Sequence, residues 1–369
     1  MGTPYRRFDK GRFVTKQDWD ALVYEKEILR LEFQIRLDGM RSPAERNRMG
    51  QFATPNRLAK DIATYCVGLL DEAEQIRLLE PAVGSGSFFS ALLQTVDQNR
   101  IAEAVGFETD DRFSELSQRL WGEMGLEVIA GDFTKHYSKV SGANLVLANP
   151  SYVRHHHLDL GIKTRLQREA VATAGLVVGG LSGLYVYFMA IAHAAMADQA
   201  VAAWLLPTEF MDVNYGSALR EYLSGQVEMI RLHRFDPENT QFEDALVSSS
   251  VVVFRNSPPG RHAETLFTFG GSLLKPDRSE VVIIKDLSRH HKWTFTRSTA
   301  SIKRPSKSVA IGDLFHIRRG LVTGANSFFI MKRKEALDRQ IPNQFLKPVL
   351  PSPRYLKSNV VNGDTTAIL

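Results

Sequence analysis

Cysteine is nearly missing: Cys66 is the only one in 369 residues. A lone thiol forms no intrachain disulfide and builds no multi-cysteine zinc cluster, and cysteine usage of this kind points to the cytoplasm. Cys66 follows Ile62 and Tyr65 in a helical apolar pattern, so it reads as a packing residue rather than a nucleophile. Long hydrophobic runs are missing as well. No apolar segment behind a basic start marks a secretory signal, and none reaches the ~18 residues of a membrane span, so no membrane partner is expected. The most apolar stretch, Leu184–Leu206, is broken by His193, Asp198 and Gln199. Internal repeats and low-complexity tracts are absent too.

What remains is an ordinary globular composition, 44% hydrophobic and 24% charged, with length for two or more domains. The net charge of +5 hides an asymmetry. From Arg255 onward there are 20 Lys and Arg against 8 Asp and Glu, a balance of +12, whereas the residues before it carry 26 against 33, a balance of −7. A basic segment joined to an acidic one suits a polyanion-binding module; a basic face kept for solubility has the same composition.

Periodicity gives the organisation. Asp18–Gly39 carries Leu22, Ile28, Leu29, Leu31 and Ile35 at helical spacing, and a second amphipathic helix runs through Leu58, Ile62 and Tyr65. From Ile76 the pattern becomes strand, helix, strand, helix, strand. Short apolar runs at Ile76–Leu79, Ala104–Phe107, Glu127–Ala130 and Asn144–Ala148 alternate with helices through Phe88–Leu93 and Arg112–Trp121. That alternation predicts an α/β fold with a parallel sheet, whose ligands lie at the carboxyl ends of the strands. A helix at Leu184–Met196 and strands at Ala200–Leu206, Gln226–Arg234 and Leu246–Phe254 follow. The breaker cluster Asn256-Ser257-Pro258-Pro259-Gly260 marks a boundary. Three segments are expected: a helical extension over 1–49, an α/β domain over 50–256 and a basic domain over 257–369.

Four motif sites fall at predicted strand ends. Glu80-Pro81-Ala82-Val83-Gly84-Ser85-Gly86-Ser87-Phe88 places Gly84 and Gly86 between a strand and a helix, where backbone can approach a ligand and a helix start offers free N–H groups. A dinucleotide is disfavoured: Phe89 stands where the third glycine of G-x-G-x-x-G belongs, and Glu80 would repel a pyrophosphate. An amino-acid cofactor suits the loop better, its ammonium meeting acceptors and its carboxylate meeting N–H groups. Glu108, ending the second strand, is placed to accept from two ribose hydroxyls. Asp132 is placed to accept from an adenine amino group, with Phe133 stacking on the ring. As an ordered set these residues point to S-adenosylmethionine.

Asn149-Pro150-Ser151-Tyr152 follows the fourth strand. It resembles the Asn-Pro-Pro-Tyr signature of amino-methyltransferases. With Phe52-Ala53-Thr54-Pro55 and the Glu-Pro-Ala-x-Gly-x-Gly loop, the chain from about Gly50 to Met331 is similar to the γ-ordered N6-adenine DNA methyltransferases of restriction–modification and related defence systems. Ile311-Gly312-Asp313-Leu314-Phe315 and Gly320-Leu321-Val322-Thr323-Gly324-Ala325-Asn326 resemble the opening of that family's target-recognition domain. The resemblance implies a Rossmann-like S-adenosylmethionine-dependent methyltransferase domain with an N-terminal helical extension and a C-terminal, partial target-recognition domain. It implies duplex DNA as partner, with a cognate restriction or defence subunit.

The chemistry accounts for the residue types. An adenine amino nitrogen is a poor nucleophile because its lone pair is delocalised into the ring. The Asn149 side-chain oxygen and the Pro150 carbonyl would accept its two hydrogens and draw it toward tetrahedral geometry, for attack in line on the methyl group. The base must first leave the duplex, and Tyr152 would stack on it. By resemblance Thr54 and Pro55 close the methionine end of the cofactor, and Phe242 covers the other face of the base. Ser151 replaces the family's usual second proline and leaves a looser loop. Arg318, Arg319, Lys332 and Arg333 are candidate phosphate contacts. His155-His156-His157 is read as facing solvent or phosphate, since three consecutive ligands rarely converge on one ion, and no metal is expected. Two alternatives remain at this level: an amino-methyltransferase acting on RNA or on protein glutamine, and a catalytically weak DNA-binding subunit.

Overall fold

A computed structural model describes residues 15–153, 155–236, 241, 248–294, 309, 311–316, 325–349 and 367–368. It divides into two compact units, residues 1–301 and 302–369.

The first unit is built on one nine-stranded sheet: β1 (Ile76–Glu80), β2 (Ile101–Glu108), β3 (Leu126–Ala130), β4 (Ala143–Ala148), β5 (Met196–Pro207), β6 (Glu228–Arg234), β7 (Ser249–Arg255), β8 (Glu264–Phe269) and β9 (Arg278–Ile283). The strand order is β3-β2-β1-β4-β5-β7-β6-β8-β9. Neighbours from β3 to β5 run parallel, and β7 is antiparallel to both β5 and β6. Every residue of β4 is buried, as a central parallel strand covered on both faces must be.

Nine helices matter for the site: α1 (Lys16–Gly39), α2 (Pro43–Met49), α3 (Asn56–Val67), α4 (Ser87–Leu93), α5 (Asp111–Trp121), α6 (Phe133–His136), α7 (Leu160–Ala174), α8 (Leu184–Ala192) and α9 (Ser217–Gly225). The period-2 alternation of the strands feeds two separate cores. Leu78, Leu145, Leu147 and Val253 pack with α1, α3, α4 and α5 on one face. Leu79, Val146, Trp204 and Val252 pack with α7, α8 and α9 on the other. Local signals set the helix ends. Thr15 and Asp18 close a reciprocal capping box on α1, and Asp110, Asp132 and Asp159 each accept a backbone N–H at the start of α5, α6 and α7.

Three expectations are corrected. The division expected after Asn256 falls inside the sheet. Asn256–Gly260 turns the chain so that β8 pairs parallel to β6 and β9 pairs antiparallel to β8, and the break between units comes after Ser301. Breaker residues mark a turn of either kind; only strand pairing tells a loop from a linker. The helix expected to reach Met196 ends at Ala192, because Met196 already opens β5. In α1 the buried face is Trp19, Val23, Glu27, Arg30 and Gln34, whereas Ile28, Leu31 and Ile35 are 41%, 40% and 73% exposed. Of the apolar positions read from the sequence, Leu22 packs against the core, whereas Ile28, Leu29, Leu31 and Ile35 lie on the outer side.

In the second unit, Lys332 and Arg333 are exposed at the start of a short helix, Arg333–Asp338, and Pro348–Val349 pairs antiparallel with Ala367–Ile368.

Candidate active site

The strand order reverses at β1, with β2 on one side and β4 on the other. Connections leaving β1 and β4 therefore diverge, and a crevice opens at their carboxyl ends. A cavity of about 600 Å³ lies there.

Pro81, Ala82 and Gly84 of the loop after β1 line it. The turn is tight: the Val83 N–H donates to the Phe107 carbonyl at 2.9 Å, and the Gly86 N–H donates to the Val83 carbonyl at 2.8 Å. Its two glycines have different reasons. Gly84 (φ +56°) would carry a Cβ with no atom within 4 Å, so its bareness leaves room in the cavity wall. Gly86 (φ +83°) does not line the cavity; a Cβ there would come within 2.5 Å of the Trp121 ring.

Glu108 lines the cavity at the end of β2. Its carboxylate accepts from the backbone N–H groups of Gly84 (3.0 Å), Thr109 (2.9 Å) and Asp110 (2.9 Å). Burial pushes its pKa above the usual glutamate value, and these three donors offset only part of that. Asp132 lines the next stretch of wall. It accepts from the Thr134 N–H (2.9 Å) and hydroxyl (2.6 Å), and pairs with Arg165 of α7 at 3.3 Å. Phe133 is buried against Phe107 and Phe188, with ring centroids 5.2 and 5.7 Å apart.

Asn149 stands directly after β4 and faces the same cavity. Its amide nitrogen donates to the Phe52 carbonyl (2.9 Å) and to the Thr54 hydroxyl (3.1 Å). Both amide protons are thereby used, and the side-chain oxygen keeps its acceptor capacity. The segment 49–54 thus straps the loop. Ser151, where a second proline was expected, donates its hydroxyl to the Met49 carbonyl, and the Tyr152 N–H donates to the Gly50 carbonyl at 3.1 Å.

Besides Gly86, four candidates do not line the cavity. Glu80 is completely buried, does not line the cavity, and neither carboxylate oxygen is in a hydrogen bond. Burial holds its pKa well above the usual value, against the weaker pull of the nearby Phe89 N–H and the Arg30 guanidinium. Pro55 is exposed at the start of α3 and does not line the cavity, whereas Thr54 does. Pro150 is buried. Tyr152, expected to offer a stacking face, is 8% exposed, packs on Phe52 at 5.8 Å, and has a buried hydroxyl without a partner. Phe242, Arg318 and Arg319 lie outside the described residues.

Sequence reading missed Arg165 of α7 and Gln34 and Asp38 of α1, all of which line the cavity. Only their recurrence at polar positions within helical patterns marked them. His157 lines the cavity too. Among the described residues no group of three or more His, Cys, Asp or Glu could hold a metal ion, and no helix is long and apolar enough to cross a membrane.

Sheet order, loop and acceptor-bearing strand ends define an α/β fold of the methyltransferase class. Solved structures share this fold, BpuSI and DrdV among them. The type IIG restriction endonuclease BpuSI aligns with TM-score 0.57 and 18% identity over 88% of this chain and 44% of that one. DrdV in a DNA complex aligns with TM-score 0.59 and 13% identity over 86% and 39%. Residues 84–242 match the family described as Eco57I restriction-modification methylase. Similar relatives are the Type II methyltransferases M.XamI of Xanthomonas campestris pv. amaranthicola, 27% identical over 79% of this chain and 54% of that protein, and M.AccI of Acinetobacter calcoaceticus, 23% identical over 85% and 59%. The resemblance to restriction–modification methyltransferases is borne out. The chain spans little more than half the length of these curated relatives.

Proposed function

We propose that this chain is the catalytic part of a restriction–modification DNA methyltransferase that moves a methyl group from S-adenosylmethionine to the N6 nitrogen of adenine in duplex DNA. The observation that carries the reading is the Asn149 amide. Its nitrogen is tied to Phe52 and Thr54, so its oxygen is held as an acceptor on a cavity that Glu108, Asp132 and the glycine loop also line.

The residues present fit the cofactor. Gly84 leaves open space where any side chain would intrude. Glu108 and Asp132 offer carboxylate acceptors for ribose hydroxyls and for an adenine amino group, and Phe133 offers an aromatic wall. When bound, S-adenosylmethionine supplies an electrophilic methyl group on sulfonium. The protein's contribution is positioning and electrostatics. Asn149 would accept a hydrogen bond from one N–H of the target amino group and the Pro150 carbonyl from the other, which concentrates the nitrogen lone pair for attack; the methylated nitrogen keeps one hydrogen and releases the other as a proton to water. The strap at 49–54 keeps Asn149 in one orientation, so little reorganisation accompanies the reaction. Tyr152 braces this loop from inside the fold, its ring packed on Phe52. The basic segment beyond Ser301, through Arg318, Arg319, Lys332 and Arg333, contacts DNA phosphates, and Phe242 covers the second face of the base. A restriction or defence subunit is the expected protein partner.

Transfer of labelled methyl groups to adenine in duplex DNA tests the reading. Asn149→Ala should lower kcat by at least about 10²–10³-fold, as loss of an electrostatic donor or acceptor at a reacting centre does. Its affinity for S-adenosylhomocysteine should stay close to wild type. Labelling of RNA or protein alone, or equal activity of the variant, would overturn it.

A further inference from the structure

The N-terminal helix carries a buried charge pair that the reaction above does not use. Arg30 is 1% exposed and Glu27 is 6% exposed. The guanidinium grips Glu27 through two bonds of 2.7 Å. Its remaining terminal nitrogen donates to the Ser85 hydroxyl at 2.9 Å and to the Ser87 hydroxyl at 3.1 Å. These serines flank Gly86, the left-handed residue that closes the glycine loop and starts α4. On the other side the Trp121 indole N–H donates to the Ser85 carbonyl at 2.9 Å. Glu27 in turn accepts from the Ser90 hydroxyl of α4 and from the Asn56 amide of α3, both at 2.6 Å. Asn56 lies two residues beyond Thr54, which holds Asn149.

A buried ion pair is a weak source of stability, because an apolar pair of similar volume would usually serve as well. What it supplies is geometry: a planar fork with fixed donor directions. This fork faces the back of the glycine loop and, through Glu27, the first turn of α3. One turn further along α1, Gln34 donates to Asp38 at 2.9 Å, and both residues line the cavity.

We propose that α1 is a wall of the cofactor site and that Arg30 is a positioning residue, holding the glycine loop in its binding shape. The proposal rests on the function proposed above for its ligand, S-adenosylmethionine. It does not rest on it for the loop. Arg30 acts through Ser85 and Ser87 and touches no reacting atom.

The test uses the full chain and two variants. Glu27→Leu with Arg30→Met removes both charges together, so neither is left unpaired. Arg30→Lys keeps the charge but replaces the fork with a single ammonium. Three quantities are measured: thermal midpoint, amide exchange of residues 81–90 against 143–149 by mass spectrometry, and the dissociation constant for S-adenosylhomocysteine by calorimetry. The double variant should fold, exchange faster in 81–90 but not in 143–149, and bind about 10- to 100-fold more weakly, the scale expected when one or two buried hydrogen bonds that shape the loop are lost. Arg30→Lys should fall between it and wild type, and decides alone if the double variant fails to fold. Unchanged exchange in 81–90 with unchanged affinity would overturn the proposal, as would exchange rising equally in both segments. If wild-type protein does not bind S-adenosylhomocysteine, the proposed function fails while the exchange measurement still decides the role of Arg30.

Discussion

Two buried groups beside the site are held at a cost to the fold. Glu80 ends β1 inside the core with its carboxylate in no hydrogen bond, and burial raises its pKa well above the ordinary value. An acid whose folded pKa lies above its unfolded value of about 4.3 binds more protons folded than unfolded. Wild-type stability should therefore fall as pH rises from about 4.3 toward the folded value, at a limiting slope of about 1.4 kcal/mol per pH interval of one. Glu80→Gln removes this dependence. Thermal melts of the pair should coincide near pH 4 and diverge as pH rises, the variant being the more stable; parallel curves would refute the assignment. Tyr152 presents a similar case without a charge. Its hydroxyl is buried with no partner, while its ring packs on Phe52. Tyr152→Phe should raise stability by about 1 kcal/mol, the lower end of the cost of an unsatisfied buried group. Methyl transfer should be retained within a few-fold, since the ring and not the hydroxyl braces the loop. A large loss of activity would show that the hydroxyl acts on substrate.

The glycine loop shows how one element divides its work between conformation and space. Both Gly84 and Gly86 adopt left-handed backbone, so alanine is strained at either by roughly 1–2 kcal/mol. At Gly86 the new methyl also strikes Trp121, adding about 1–3 kcal/mol of overpacking. At Gly84 it meets no protein atom and points into the cavity wall. Gly86→Ala should thus lower the thermal midpoint more, and Gly84→Ala should weaken cofactor binding more for its loss of stability; calorimetry on both variants checks the ordering. This element was legible in the sequence, as were β1 to β4 and the Asn149 turn, because the parallel strands here are short apolar runs that end in turn residues. β8 and β9 were not legible. The pairing of β8 onto β6 and of β9 onto β8 depends on long-range register, and Pro258-Pro259-Gly260 speaks only of a local turn. The buried face of α1 was not legible either. Its buried stripe includes Glu27, Arg30 and Gln34, polar residues satisfied by one another and by Ser85, Ser87, Ser90, Asn56 and Asp38, which no hydrophobic pattern can signal. The strap from Met49 to Thr54 was visible only as a motif, and its bonds to Asn149 and Ser151 required the fold.

Across the whole chain, chemistry and charge are separated. The site lies in the first unit, whereas the strongest excess of positive charge lies in the C-terminal part of the chain. If the basic part contacts DNA, its side chains neutralise phosphates and release counterions, so affinity falls with salt in proportion to the number of phosphates neutralised. Lys332 and Arg333 are exposed and test this. With both replaced by alanine in the full chain, duplex DNA should bind more weakly at every sequence tried. The slope of log K against log salt should become shallower by about 0.9 for each phosphate that is no longer neutralised. Affinity for S-adenosylhomocysteine should not change, because neither residue lines the cavity. An unchanged slope would mean that this face is basic for solubility alone. A loss confined to one DNA sequence would instead mean that one of the two reads a base edge rather than the backbone.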